Sequence, residues 1–247
     1  MDGQATCPFA PQPPPSQPLP LQIGMLLYPG LTLMDLVGPQ TVLGWHGQTH
    51  LVWKSLDPVV ADSGISIQPT ATFAGCPDDL DVLFVPGGMG TAAVMEDAET
   101  LAFLAGRGAR AGWVTSVCSG SLILAAAGLL RGYKATTHWA AYDGLAAMGM
   151  EVVRERVVVD SDRVTGDGVT AGLDFGLVLL AKLRGEQVAK VTQLSMEYDP
   201  KPPFDCGTPD AAGPELTAMA RAMMRDVDAQ TMRAAAAARA RLDLAPA

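Results

Sequence analysis

Short apolar runs that do not alternate with polar residues restrict this chain more than any other feature. Residues 22–28 (QIGMLLY) and Val82–Val85 (VLFV) are two of them, and an apolar strand over Trp113–Val117 follows. A strand of that kind is covered on both faces. Segments of helical period lie between them, over Leu33–Leu43, 98–106 and 119–130. Strands alternating with helices imply parallel βαβ units. The pattern predicts an α/β fold: a three-layer sandwich around a flavodoxin-like, mostly parallel sheet. Further strands are expected at 50–55, 134–137, 152–159 and 164–165, with a hairpin or edge ribbon at 65–73. Further helices are expected at 169–183 and 186–197.

Both ends differ from this middle. The first 22 residues carry seven prolines, no Lys or Arg and no apolar core, so they read as an extended, mobile tail and not as a secretory signal. The expected division is a Pro-rich tail over 1–21, one α/β domain over 22–214 and an amphipathic helix over 215–247. In that helix Leu216, Met219, Ala220, Met223, Met224 and Val227 share one face. Such a stripe packs on its own domain or on a dimer partner; the alternative is that its methionines touch a ligand.

Charge and cysteines narrow the function. Seventeen basic against 26 acidic side chains leave a net charge of −9, a poor match to nucleic acid or an anionic membrane. No apolar run reaches the ~18 residues of a membrane span. One helical stripe without a second helix and turn gives no reason to expect DNA binding. The four cysteines, at 7, 76, 118 and 206, form no CxxC pair and no metal spacing with His46, His50 or His138. They suit a reduced, cytoplasmic protein without metal or organic cofactor.

The chemistry concentrates in residues 112–130, GWVTSVCSGSLILAAAGLL. An apolar strand runs into Cys118, then Ser119-Gly120-Ser121, then an apolar helix. This is the sequence form of a nucleophile elbow, which places Cys118 over the carboxyl edge of the sheet. The following helix N-terminus favours thiolate over thiol; the bland alternative is a small buried hydrophobe. Pro86-Gly87-Gly88 ends a buried strand, either as an ordinary turn or as a nest of amides near the same edge. Asp35, among Leu33-Met34-Asp35-Leu36, either caps a helix or points a carboxylate into a site. His138 ends a strand, as a hydrogen-bonded structural residue or a base, and His46 and His50 read as surface or loop residues.

FVPGG, VTSVCSGSL, AAAGLLRGYKATTHWA and GVTAGLDFGL together resemble the ThiJ/PfpI superfamily of class I glutamine amidotransferase-like folds, over about residues 22–214. Within it, LMDLVGP, LVWK, MEDAETLAF and MEYDPKPPF are similar to the isonitrile hydratase group. The resemblance implies a cysteine nucleophile at Cys118, an acidic partner at Asp35 and a homodimer. At Ser119 that group has a threonine, so the hydroxyl is kept and a methyl lost. Protease-like members have His there, so peptidase activity is not expected. The turn Thr165-Gly166-Asp167-Gly168 departs from an all-glycine version.

The implied reaction adds water to a small isonitrile. Cys118 thiolate attacks the carbon, Asp35 supplies a proton, and water then releases an N-substituted formamide from the thioimidate. The two groups titrate as a pair. Ser119 and the amides of Gly87 and Gly88 orient substrate or water, with His138 beside them. Two other readings use the same elbow: a glyoxalase- or deglycase-like hydratase, and a cysteine redox or ligand sensor without catalysis.

Overall fold

The computed structural model describes residues 19–244; the expected proline-rich tail, as far as residue 18, lies outside them. In chain order the elements are β1 (Leu21–Leu26), α1 (Leu33–Leu43), β2 (Gly47–Trp53), β3 (Val59–Val60), β4 (Ser66–Ile67), β5 (Ala71–Thr72), β6 (Val82–Val85), α2 (Thr91–Glu96) and α3 (Ala98–Gly108). Next come β7 (Trp113–Val117), α4 (Gly120–Ala126), β8 (Lys134–Ala135), α5 (Tyr142–Ala147), β9 (Glu151–Val152), β10 (Val157–Asp160) and β11 (Arg163–Gly166). Helices α6 (Ala171–Arg184), α7 (Glu186–Ser195) and α8 (Pro209–Leu244) complete the described chain.

Seven strands form one sheet in the order β10-β11-β7-β6-β1-β2-β5. Only the edge pair β10 and β11 is antiparallel; the rest run parallel. Helices flank the sheet, with α1, α6 and α7 in one group and α2, α4, α5 and α8 in another. This is the α/β sandwich expected from the apolar runs. All four residues of β6 are buried, and Phe84 on it meets Phe175 of α6 with ring centroids 5.6 Å apart.

Some boundaries fall elsewhere, each for a local reason. Residues 65–73 form no single hairpin. Ser66–Ile67 pairs with Val59–Val60, whereas Ala71–Thr72 joins the edge of the main sheet beside β2. Pro69, which has no N–H to give a ladder, stands between the two pieces. Residues 152–159 divide likewise: β9 pairs with β8 and β10 with β11. Helix α4 stops at Ala126 because Gly128 turns left-handed, with φ 79°. Helices α2 and α5 have six residues each, too few for a periodicity to reveal them. Helix α8 breaks at Gly213, with φ 75°, directly before Pro214. The sheet brings the carboxyl ends of β1, β6 and β7 side by side, and the site stands on them.

Candidate active site

The chain leaves β7 at Val117 and enters α4 at Gly120, so Cys118 and Ser119 make the whole turn. Cys118 takes a left-handed backbone conformation, φ 54°, which costs a residue with a side chain about 1–3 kcal/mol. Its surroundings hold it there. The Cys118 N–H donates to the carbonyls of Gly166 and Asp167, at 3.1 and 2.7 Å. Its carbonyl accepts from the Thr137 hydroxyl at 3.0 Å and the Ser121 hydroxyl at 3.3 Å. Asp167 thus braces the elbow through its backbone. The tight strand-to-helix turn expected from the sequence is therefore present at Cys118.

Asp35 lies in the first turn of α1, where the N-cap Thr32 makes no side-chain capping bond and the Leu33 N–H goes to Asp62 Oδ1 at 3.2 Å. The carboxylate turns inward and is fully buried. Oδ2 accepts the Gly87 N–H at 2.8 Å. Oδ1 is buried without a hydrogen-bond partner among the described residues, and the Cys118 thiol stands close enough for the Asp35 charge to act on it. Of the two readings open to Asp35, capping is therefore the one the structure does not make.

Burial pushes the Asp35 carboxyl up to about 7, against the opposing pull of the Gly87 N–H. Burial, and then the negative charge of Asp35, also push the Cys118 thiol up; the Ser119 N–H opposes them. This corrects the expectation of a thiol lowered by the helix N-terminus. One amide and a seven-residue helix do not outweigh a dry site with a carboxylate in it. Near neutral pH the pair keeps at least one proton between its two groups.

The amides of Gly87 and Gly88, expected to face substrate, already have partners. Gly87 N–H serves Asp35, and Gly88 N–H donates to Ser119 Oγ at 3.0 Å. A Cβ at position 87 would lie 2.5 Å from the Ser119 amide nitrogen, so only glycine lets the loop come this close to the elbow. Ser119 Oγ is also 2.8 Å from Thr91 Oγ1. Thr91 Oγ1 is 3.3 Å from the Tyr28 hydroxyl, which donates to the Pro86 carbonyl at 2.9 Å. Neither Thr91 nor Tyr28 stands out as functional in the sequence. A phenol inside an apolar buried run, which must find a partner, was the available signal.

Cys118, Ser119, Gly88 and His138 line one side of a cavity of about 190 Å³. His138 accepts the Ala140 N–H at Nδ1, 3.3 Å away, and burial lowers its pKa, so it stands as a neutral wall of the cavity. The opposite side comes from α8: Arg221, Met224, Val227, Asp228, Thr231 and Met232. Arg221 lies over the Trp139 ring, 5.2 Å from its centroid. The expected stripe on this helix thus divides. Met224 and Val227 face the cavity, while Met219 and Met223 are 60% and 86% exposed. Further along, Ala234, Ala235 and Ala238 are buried, and Arg241 donates to the Met95 carbonyl at 2.8 Å. His46 and His50 are half-buried, bonded to Thr192 and Gln22, and His50 sits within β2 and not in a loop. Among the described residues, no helix is long and apolar enough to cross a membrane.

The chain is 52% identical over 194 residues to isonitrile hydratase of Pseudomonas putida, which covers 78% of this chain and 85% of that protein. A crystal structure of a ThiJ/PfpI family protein from Pseudomonas syringae, also 52% identical, superposes with a TM-score of 0.85 over 87% of this chain and 90% of that one. The chain is 32% identical to the HTH-type transcriptional regulator GbdR of Pseudomonas aeruginosa and spans 54% of its length. The DJ-1/PfpI family profile matches residues 22–182, a stretch that holds Asp35, Gly87, Cys118 and His138. The chain is a homologue of isonitrile hydratase and belongs to the DJ-1/PfpI family.

Proposed function

We propose that the protein is a hydro-lyase that adds water to a small isonitrile and releases an N-substituted formamide. One observation carries this reading most. A buried carboxyl with a pKa of about 7 stands close to a thiol on a strained elbow, in a homologue of an isonitrile hydratase.

At neutral pH the Cys118 thiol keeps its proton and the Asp35 carboxyl is near its midpoint, able to accept one. Asp35 takes the thiol proton as sulfur attacks the isonitrile carbon, and delivers it to that carbon. The S–C bond forms and a thioimidate stays on Cys118. The ionised Asp35 then activates water, which displaces the sulfur. Ser119 orients that water, and Gly87 and Gly88 act through Asp35 and Ser119. His138 and the apolar side chains of α8 enclose the substituent.

A sensor thiol reacts as an exposed thiolate, whereas Cys118 is buried and its thiol is favoured, which supports the hydratase over the sensor. We infer the cytoplasm as its compartment, supported by free thiols at Cys76, Cys118 and Cys206. We also infer a homodimer, supported by the apolar surface that Leu216, Met219 and Met223 expose.

Incubation with cyclohexyl isocyanide, followed by chromatography for N-cyclohexylformamide, tests the proposal. Formamide production that requires Cys118 is the expected result. A protein that consumes none of the isonitrile overturns it.

A further inference from the structure

The hydrogens of the hydroxyl chain beside the cavity can be assigned, because one end of it is a carbonyl. Pro86 O can only accept, so the Tyr28 hydroxyl places its single hydrogen there, at 2.9 Å. Towards Thr91 Oγ1, 3.3 Å away, Tyr28 can then only accept. The one arrangement in which every contact of this buried chain is a hydrogen bond has Thr91 donating to Tyr28, with no hydrogen left for Ser119. Across the 2.8 Å contact, Ser119 Oγ therefore donates to Thr91. The same Ser119 oxygen accepts the Gly88 N–H at 3.0 Å. One lone pair remains on it, and Ser119 lines the cavity beside Cys118. A hydroxyl held in this way offers the cavity an acceptor and no donor.

From this polarity we propose that Tyr28 and Thr91 are positioning residues, which fix Ser119 as the acceptor that aims the attacking water at the thioimidate. The inference rests on the isonitrile reading. Isonitrile addition needs a proton donor, which Ser119 so oriented is not and Asp35 is. Thioimidate breakdown needs water with its oxygen lone pair turned to carbon. That orientation follows when one water hydrogen points to Ser119 Oγ and the other to the Asp35 carboxylate. The C–O bond forms as Asp35 takes a proton from water. The C–S bond then breaks with its electron pair on sulfur, and Asp35 returns the proton to that sulfur. The product, HO–CH=N–R, tautomerises to the formamide. Ser119 exchanges no proton in this sequence.

The two chemical steps must then respond differently to the relay. The test follows formamide release and intact-protein mass after mixing with cyclohexyl isocyanide. In Thr91→Val the Ser119 hydrogen is free to turn into the cavity. Adduct formation should keep its wild-type rate while breakdown slows by roughly 10–100-fold, the scale of a misplaced reactant. A species heavier by one isonitrile should accumulate on the protein. Thr91→Ser should restore breakdown, and Tyr28→Phe, one link further away, should give a smaller accumulation. Unchanged breakdown in both Thr91→Val and Tyr28→Phe overturns the inference. So does slowed adduct formation without accumulation, or a Thr91→Ser protein no better than Thr91→Val. Wild-type protein that forms neither adduct nor formamide overturns the isonitrile reading itself.

Discussion

The floor and the roof of the cavity are built in opposite ways. On the floor, Asp35 holds Gly87, Ser119 holds Gly88, and the carbonyls of Gly166 and Asp167 hold Cys118, all through hydrogen bonds near 3 Å in a dry interior. Over them, α8 brings the ends of Met224, Val227 and Met232, and its outer face is open to water. The family match over residues 22–182 contains the whole floor and none of α8. Under the proposed function, the difference assigns the chemistry and the enclosure of the substituent to separate parts of the chain. Changes to the floor should act on bond making, and changes to the roof on binding.

Cys118→Ala should break the comparison most severely. Without the sulfur no thioimidate can form, and formamide production should cease. A variant that still turned over at a substantial fraction of the wild-type rate would place the chemistry outside the elbow.

Asp35→Asn comes next. General acid–base groups are worth about 10²–10⁴-fold, and the amide can neither take nor give the proton, so kcat should fall by that much. The pH profile sharpens this. Wild-type kcat/KM should decline as pH drops below about 7, where the pair becomes doubly protonated, and the variant should lose that limb. Stability should move the other way. A carboxyl raised from 3.8 to about 7 on folding stabilises the protein at acid pH, and this contribution is lost as pH rises through about 7. Relative to wild type, Asp35→Asn should therefore gain stability between pH 5 and pH 8, read from urea midpoints. Equal midpoint differences at the two pH values would show that the carboxyl is not strained by burial.

Effects on the roof should be milder. Met224→Ala removes apolar contact with the substituent, and KM for cyclohexyl isocyanide should rise by up to about tenfold with kcat nearly unchanged. A fall in kcat alone would mean that α8 takes part in the chemistry. The smallest effect belongs to Gln230→Ala, at an exposed position of the same helix. Steady-state kinetics should not change, and stability should stay within about 0.5 kcal/mol.

What could be read beforehand follows the same division. The covered parallel strands, the elbow at Cys118 and the acidic residue at the start of α1 are written in contiguous residues, and they lie where local pattern puts them. Whether Asp35 capped its helix or faced the thiol depended on a loop 52 residues away, which donates Gly87 N–H to it. The engaged amides of Gly87 and Gly88 and the raised thiol of Cys118 also arise only from packing. The stripe on α8 was visible as a period. Its division between cavity and solvent was not, because that depends on where the helix crosses the molecule. Tyr28 and Thr91 read as ordinary members of a strand and a short helix.

The left-handed backbone at Cys118 sets thermal robustness against activity at a single position. Glycine adopts that conformation without the side-chain penalty. Cys118→Gly should therefore raise the melting temperature while removing the nucleophile. Directed evolution that rewarded heat resistance alone would drift toward inactive protein at this residue. A stabilisation campaign has to hold position 118 constant, or screen each variant for formamide as well as for melting.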